Sequence, residues 1–100
     1  MKPLIIHSEA RAELDQSMAH YQGQLTGLGL DLQAEVERTL GDIQENPLLG
    51  SPYKSTKYRF RIVRRFSFVV YYRELEEAIW IVAITHGSRR PGYWRRRRIE

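Results

Sequence analysis

Apolar residues recur along this chain with two different periods, and the change between them divides it in half. Ala10, Leu14, Met18, Tyr21 and Leu25 are spaced by three or four, and so are Leu28, Leu32, Val36, Leu40 and Ile43. Each set lines one side of a helix, because a helical turn takes 3.6 residues. The first stripe predicts a helix over 8–24, with Ser8 at its N-cap and Glu9 in the first turn, where the helix dipole favours a carboxylate. The second stripe stops at Asn46-Pro47, since the residue before a proline is pushed out of the helical region. Gly27 and Gly29 punctuate the end of the first stripe, so an antiparallel helical hairpin with a glycine-containing turn is expected. The apolar run at 3–6 reads as a strand ahead of it.

After the loop at 46–56, "NPLLGSPYKST", the period drops to two. Tyr58, Phe60 and Ile62 alternate with Arg59 and Arg61, the pattern of a half-buried strand. "FSFVVYY" at 66–72 and "AIWIVAIT" at 78–85 are β-branched and aromatic, and "RELEE" joins them as a hairpin loop. The order strand, helix, helix, strand, strand, strand implies an α+β fold. In it the N-terminal strand and the helical hairpin pack on a small, antiparallel-dominated sheet. With Tyr58, Phe60 and Ile62 turned toward the helices, Arg59 and Arg61 are expected on the opposite, open face.

One hundred residues form one domain, 1–100, with 87–100 as a basic tail that is expected to be solvated and mobile. There is no cysteine, and the histidines at 7, 20 and 86 lack metal-ligand spacing, so neither a disulfide nor a metal site is expected. No segment has the length of a signal-peptide core or a membrane span, and a cytoplasmic location is expected. Charge is distributed unevenly. Residues 1–50 carry 3 Lys/Arg against 8 Asp/Glu, a net of −5, while residues 51–100 carry 13 against 4, a net of +9. Such a half attracts a polyanion, whether nucleic acid or an acidic protein.

The candidate chemistry lies at the end, "ITHGSRRPGYWRRRRIE". Arg59 and Arg61 share a strand side and suit a phosphate or carboxylate clamp, or else a solvated sheet face. Histidine is a residue type suited to general acid or base work, which makes His86 a candidate, but no neighbouring carboxylate orients it and a structural role is the alternative. Pro91-Gly92 forces a turn that presents Arg89 and Arg90 on one side, Tyr93 and Trp94 on the other. Arginine beside aromatics makes a stacking platform for single strands or a protein hot spot; alternatively, Trp94 folds back to close the core. Arg95, Arg96, Arg97 and Arg98 add attraction for phosphate without sequence discrimination. No phosphate loop, carboxylate pair or nucleophile elbow is present, which excludes nucleotide hydrolases, glycosidases and serine hydrolases.

Taken together, "SEARAELDQSMAHY", "EVERTLGDIQENPLLG", "RRFSFVVYYR" and "VAITHGSRRPGYW" resemble the RelE/ParE superfamily. These are bacterial toxins of type II toxin–antitoxin modules, a class linked to plasmid stabilisation. The run from His86 through Arg89, Arg90 and Pro91 to Tyr93 and Trp94 is most similar to the ParE branch. The resemblance implies a helical hairpin against a sheet, no cofactor, and neutralisation by a cognate ParD-like antitoxin that orders as it binds. ParE-type members inhibit DNA gyrase, whereas RelE-type members cut messenger RNA on the ribosome. The RelE-type nuclease uses two lysines on its first sheet strand, an arginine on the next, an arginine after the last strand, and a nearby tyrosine. Here the lysine pair falls on Arg59 and Arg61 and the middle arginine on Phe68. The last arginine is approximated by Arg89 or Arg90, and the tyrosine by Tyr93. Arginine stabilises a charged transition state but makes a poor base. The resemblance therefore implies a gyrase inhibitor whose target-facing residues are Arg59, Arg61, Arg89, Arg90, Tyr93, Trp94, Arg95, Arg96, Arg97 and Arg98. The alternative is a nuclease with His86, Arg61, Arg89, Arg90 and Tyr93 at its site.

Overall fold

Both faces of one sheet are covered in this protein, each by a different part of the chain. The computed structural model describes residues 1–99. Its elements are β1 (Leu4–Ile6), α1 (Ser8–Gln24), α2 (Leu28–Glu45), β2 (Ser51–Pro52), β3 (Arg59–Ile62), β4 (Phe68–Glu74), β5 (Ile79–His86) and a 3-10 turn at Tyr93–Arg96. The strands lie in the order β1-β5-β4-β3-β2. Only the β1–β5 pair is parallel; the others are antiparallel, as the α+β reading requires. Helix α1 spans the residues its stripe predicts, but His7 rather than Ser8 is the N-cap, its Nδ1 accepting the Glu9 N–H at 3.1 Å. β2 was not predicted, because two residues ending in proline carry no periodic signal.

The helical hairpin supplies the first core. Ala10, Leu14, Leu32, Val36, Leu40 and Ile43 pack on Val63, Phe68, Val70, Tyr72, Ile79, Ile81 and Ile84. The helices approach closely at Gly29, where a Cβ would stand 2.4 Å from the Met18 carbonyl oxygen. The second core is aromatic and lies on the far face. There Tyr53, Val82, Ala83 and Trp94 are buried together, flanked by Tyr58, Phe60, Tyr71, Trp80, Tyr93 and Ile99.

This second core reverses the expected orientation of β3. Phe60 packs among the aromatic residues of the far face, while Arg59 and Arg61 stand opposite Tyr72 and Val70, both of the helix-side core. The two arginines are half-buried, and Arg59 Nη1 donates to the Gly50 carbonyl at 2.8 Å. Ile62, expected in the core, is 65% exposed. Alternation assigns side chains to two faces but does not say which face the helices cover.

A bulge completes the arrangement. Tyr71 pairs with Ala83 and Tyr72 with Ile81, which leaves Val82 as an extra residue in β5. Val82 and Ala83 therefore both join the aromatic core, while Ile81 and Ile84 keep to the helix side.

Candidate functional site

The C-terminal segment does not stream away from the sheet. Gly92, at φ 81°, adopts the left-handed conformation open to glycine and turns the chain back across the far face. Trp94 then enters the aromatic core, its ring 4.7 Å from Tyr58, 4.8 Å from Tyr71 and 5.1 Å from Tyr53. It is fully buried. Trp94 is thus removed from the target-facing set, and the core-closing alternative is the one the structure adopts. It is the largest fully buried side chain of a face that would otherwise lie open to water.

The segment is fixed by a residue the sequence reading missed, Glu13 of α1. β1 pairs with β5 only as far as Ile81, and the His7 N–H takes the Ile81 carbonyl at 2.9 Å. Past that point the edge of β5 is bare. Glu13 Oε1 accepts the Ile84 N–H at 3.1 Å, and Arg97 Nη1 donates to the Val82 carbonyl at 2.8 Å. The two side chains also pair with each other, Arg97 Nη1 to Oε1 at 3.0 Å and Nη2 to Oε2 at 2.8 Å. An exposed strand edge is a site for unwanted pairing, and this ion pair caps it.

Tyr93 and Arg89 complete the cluster. The Tyr93 hydroxyl donates to Glu13 Oε2. The guanidinium carbons of Arg89 and Arg97 stand 4.0 Å and 5.0 Å from the centre of the Tyr93 ring, and Arg89 Nη1 is 3.5 Å from Glu13 Oε2. Burial alone would raise the Glu13 pKa, but hydrogen bonds from Arg97, Tyr93 and the Ile84 N–H outweigh it and hold the carboxyl below its ordinary value. Burial and the bond to Glu13 push the Tyr93 hydroxyl up to about 12. Arg97 is raised, its desolvation outweighed by the bond to Glu13. At neutral pH the cluster holds one carboxylate, one neutral phenol and two guanidinium cations.

These positions separate the predicted residues into groups. Arg89, Tyr93 and Arg97 meet at Glu13, whereas Arg90, Arg95, Arg96 and Arg98 are exposed around them. Arg59 and Arg61 lie on the other face of the sheet, not beside the tail. His86 also lies toward the helix side, its ring 5.9 Å from that of Phe68, and its Nδ1 accepts the Ser88 N–H at 3.1 Å. With Gln16, Ser17, His20, Tyr21 and Phe68 it lines a shallow cleft between α1 and the sheet. The five residues of the nuclease alternative are therefore not gathered at one point: β4 stands between Arg61 and His86, and Tyr93 is engaged by Glu13. Among the described residues no three His, Asp or Glu side chains are grouped to hold a metal ion, and no helix is long and apolar enough to cross a membrane.

Glu13 left a faint sequence signal. It follows Ala10 by three on α1, at the margin of the apolar stripe, where a carboxylate is drawn under the sheet edge rather than into water.

Comparison with known proteins agrees with this architecture. A family model described as "ParE toxin of type II toxin-antitoxin system, parDE" matches residues 4–91. Among solved structures, one titled "Chromosomal ParDE TA system from P. aeruginosa" superposes with a TM-score of 0.77 at 21% sequence identity, covering 86% of this chain and 96% of the other. At that identity the superposition speaks to the fold. No curated protein matches the sequence.

Proposed function

The chain belongs to the ParE toxin family of type II toxin–antitoxin systems, and from that premise we propose that it arrests growth by inhibiting DNA gyrase, held inactive by a cognate ParD-like antitoxin. The observation that carries this reading over messenger RNA cleavage on the ribosome is the state of Tyr93. A residue that takes or gives a proton during cleavage needs a pKa near the working pH. The Tyr93 hydroxyl is committed to Glu13 and pushed up to about 12. His86, the other titratable candidate, faces Phe68 and Ser88 on the helix side of the sheet.

What remains fits a surface that binds rather than reacts. The 3-10 turn and its flanks present fixed positive charge on a firmly packed base, with Trp94 as the anchor. Fixed charge of one sign speeds encounter with an acidic partner and fixes its orientation. An acidic antitoxin segment, disordered alone and ordered on binding, is complementary to that charge. This action draws on no cofactor or metal of the toxin's own and takes place in the cytoplasm, where gyrase works.

The test is a cleavage-complex assay. Purified toxin is incubated with gyrase, ATP and supercoiled plasmid, then treated with detergent and protease before electrophoresis. Linear plasmid is expected only when toxin and gyrase are both present. Plasmid topology unchanged at excess toxin, from a preparation that still arrests growth, would remove gyrase as the target and point to the ribosome.

A further inference from the structure

Glu13 sorts the arginines of the C-terminal segment into two sets. Arg97 and Arg89 are drawn to its carboxylate. Arg90, Arg95 and Arg96 are exposed and make no ion pair within the described residues. With Pro91, Gly92 and Tyr93 they line a single groove of about 510 Å³. Proline and a left-handed glycine fix the backbone between Arg90 and Arg95, so the three arginines are brought to one groove. Like charges so placed repel one another, and an anion in the groove relieves that repulsion.

The chemistry of the anion follows from what the groove lacks. A site for unpaired bases needs a free aromatic face on which they stack. Trp94 is buried, and the Tyr93 ring has Arg89 and Arg97 over it. Planar guanidinium groups without a stacking platform recognise phosphate and no base, a contact that positions a backbone without reading sequence. The gyrase reading, on which this inference rests, puts the toxin where duplex DNA is held. We propose that Arg90, Arg95 and Arg96 form a sequence-independent site for the phosphodiester backbone of duplex DNA.

The experiment is fluorescence anisotropy of a labelled duplex titrated with the full-length toxin, without gyrase, at salt concentrations from about 50 to about 200 mM. Binding is expected to weaken steeply with salt. The triple variant Arg90→Ala, Arg95→Ala, Arg96→Ala is expected to lose about tenfold or more in affinity and to flatten the log–log salt slope by about 2 to 3. An Arg64→Ala, Arg65→Ala variant, altered in the β3–β4 turn, is expected to bind as the parent does. Unchanged tryptophan emission, from Trp80 and the buried Trp94, together with an unchanged thermal midpoint reports that the triple variant keeps its fold.

Parental affinity in the triple variant would overturn the site. So would tighter binding of a single strand of equal length, or of polyglutamate or anionic vesicles at matched charge, each of which names a different ligand. Duplex binding by a toxin that leaves gyrase untouched would preserve this site and sink the gyrase reading. Gyrase poisoning by a toxin that does not bind duplex would do the reverse.

Discussion

Arg97 lies between the carboxylate of Glu13 and the backbone carbonyl of Val82, 84 residues from the first in sequence and 15 from the second. One side chain thus joins the first helix, the last strand and the C-terminal segment. Both partners are close to nine-tenths buried, so the charges are poorly screened, and neither has water as a ready substitute.

Breaking this pair is expected to be costly. Glu13→Gln keeps the volume and one acceptor for the Ile84 N–H but leaves Arg97 with only the exposed Glu9 carboxylate, 3.8 Å from its Nε, as counter-charge. The loss is expected to be about 2–3 kcal/mol in urea unfolding at neutral pH, less than for a fully interior ion pair. Hydrogen exchange should rise at Ile84 and across 93–97, while α2 is unaffected. Equal exchange in the parent and the variant would show that the segment is held by Trp94 alone.

The same pair sets the pH dependence of stability. Glu13 has its pKa lowered on folding, so its contribution is present above the ordinary carboxylate value and is lost as pH falls through the folded one. Tyr93 has its pKa raised from 10.0 to about 12, so its contribution is present below pH 10 and is lost as pH rises toward 12. Between these limits the cluster adds no slope. Urea midpoints measured across pH should converge for the parent and Glu13→Gln in acid, and for the parent and Tyr93→Phe in strong alkali. Parallel curves at both ends would assign the pH dependence to other groups.

Trp94 is expected to be the most sensitive single position of the C-terminal segment. Trp94→Ala leaves a cavity among Tyr53, Tyr58 and Tyr71, and the loss should be about 3–5 kcal/mol. Trp94→Phe keeps part of the packing and should lose less than half of that. Equilibrium unfolding followed by far-ultraviolet circular dichroism checks both. A near-neutral Trp94→Ala would mean that the far face of the sheet is not a core.

Much of this fold was legible in the residues, and the gaps have physical causes. Two stripes with near-four spacing, ended by Asn46-Pro47, placed α1 over 8–24 and closed α2 before Pro47, because helix boundaries rest on local backbone sterics. The strands after the loop followed from alternation in the same local way. The face of β3 did not. Both faces of this sheet are apolar, and the cover on the second arrives 34 residues after Phe60, at Trp94, so the choice between faces is made by a contact distant in sequence. The arginines show the same limit. Arg95, Arg96, Arg97 and Arg98 are identical in composition, yet only Arg97 reaches Glu13, because the 3-10 turn ends there and directs that side chain to the β5 edge.

The close approach of the helices offers a prediction independent of the tail. In Gly29→Ala the new methyl would meet the Met18 carbonyl oxygen at 2.4 Å, a backbone atom that yields only if the helices part. The expected loss is about 1–3 kcal/mol, as for other overpacked sites, despite the better helix propensity of alanine. Gly41→Ala is the control, since nothing lies within 4 Å of its Cβ, and it should be neutral or slightly stabilising. Thermal unfolding of the two variants compares helix propensity directly with packing. If Gly29→Ala is as stable as Gly41→Ala, α1 and α2 are free to separate, and the hairpin is not the rigid base on which Glu13 holds the C-terminal segment in place.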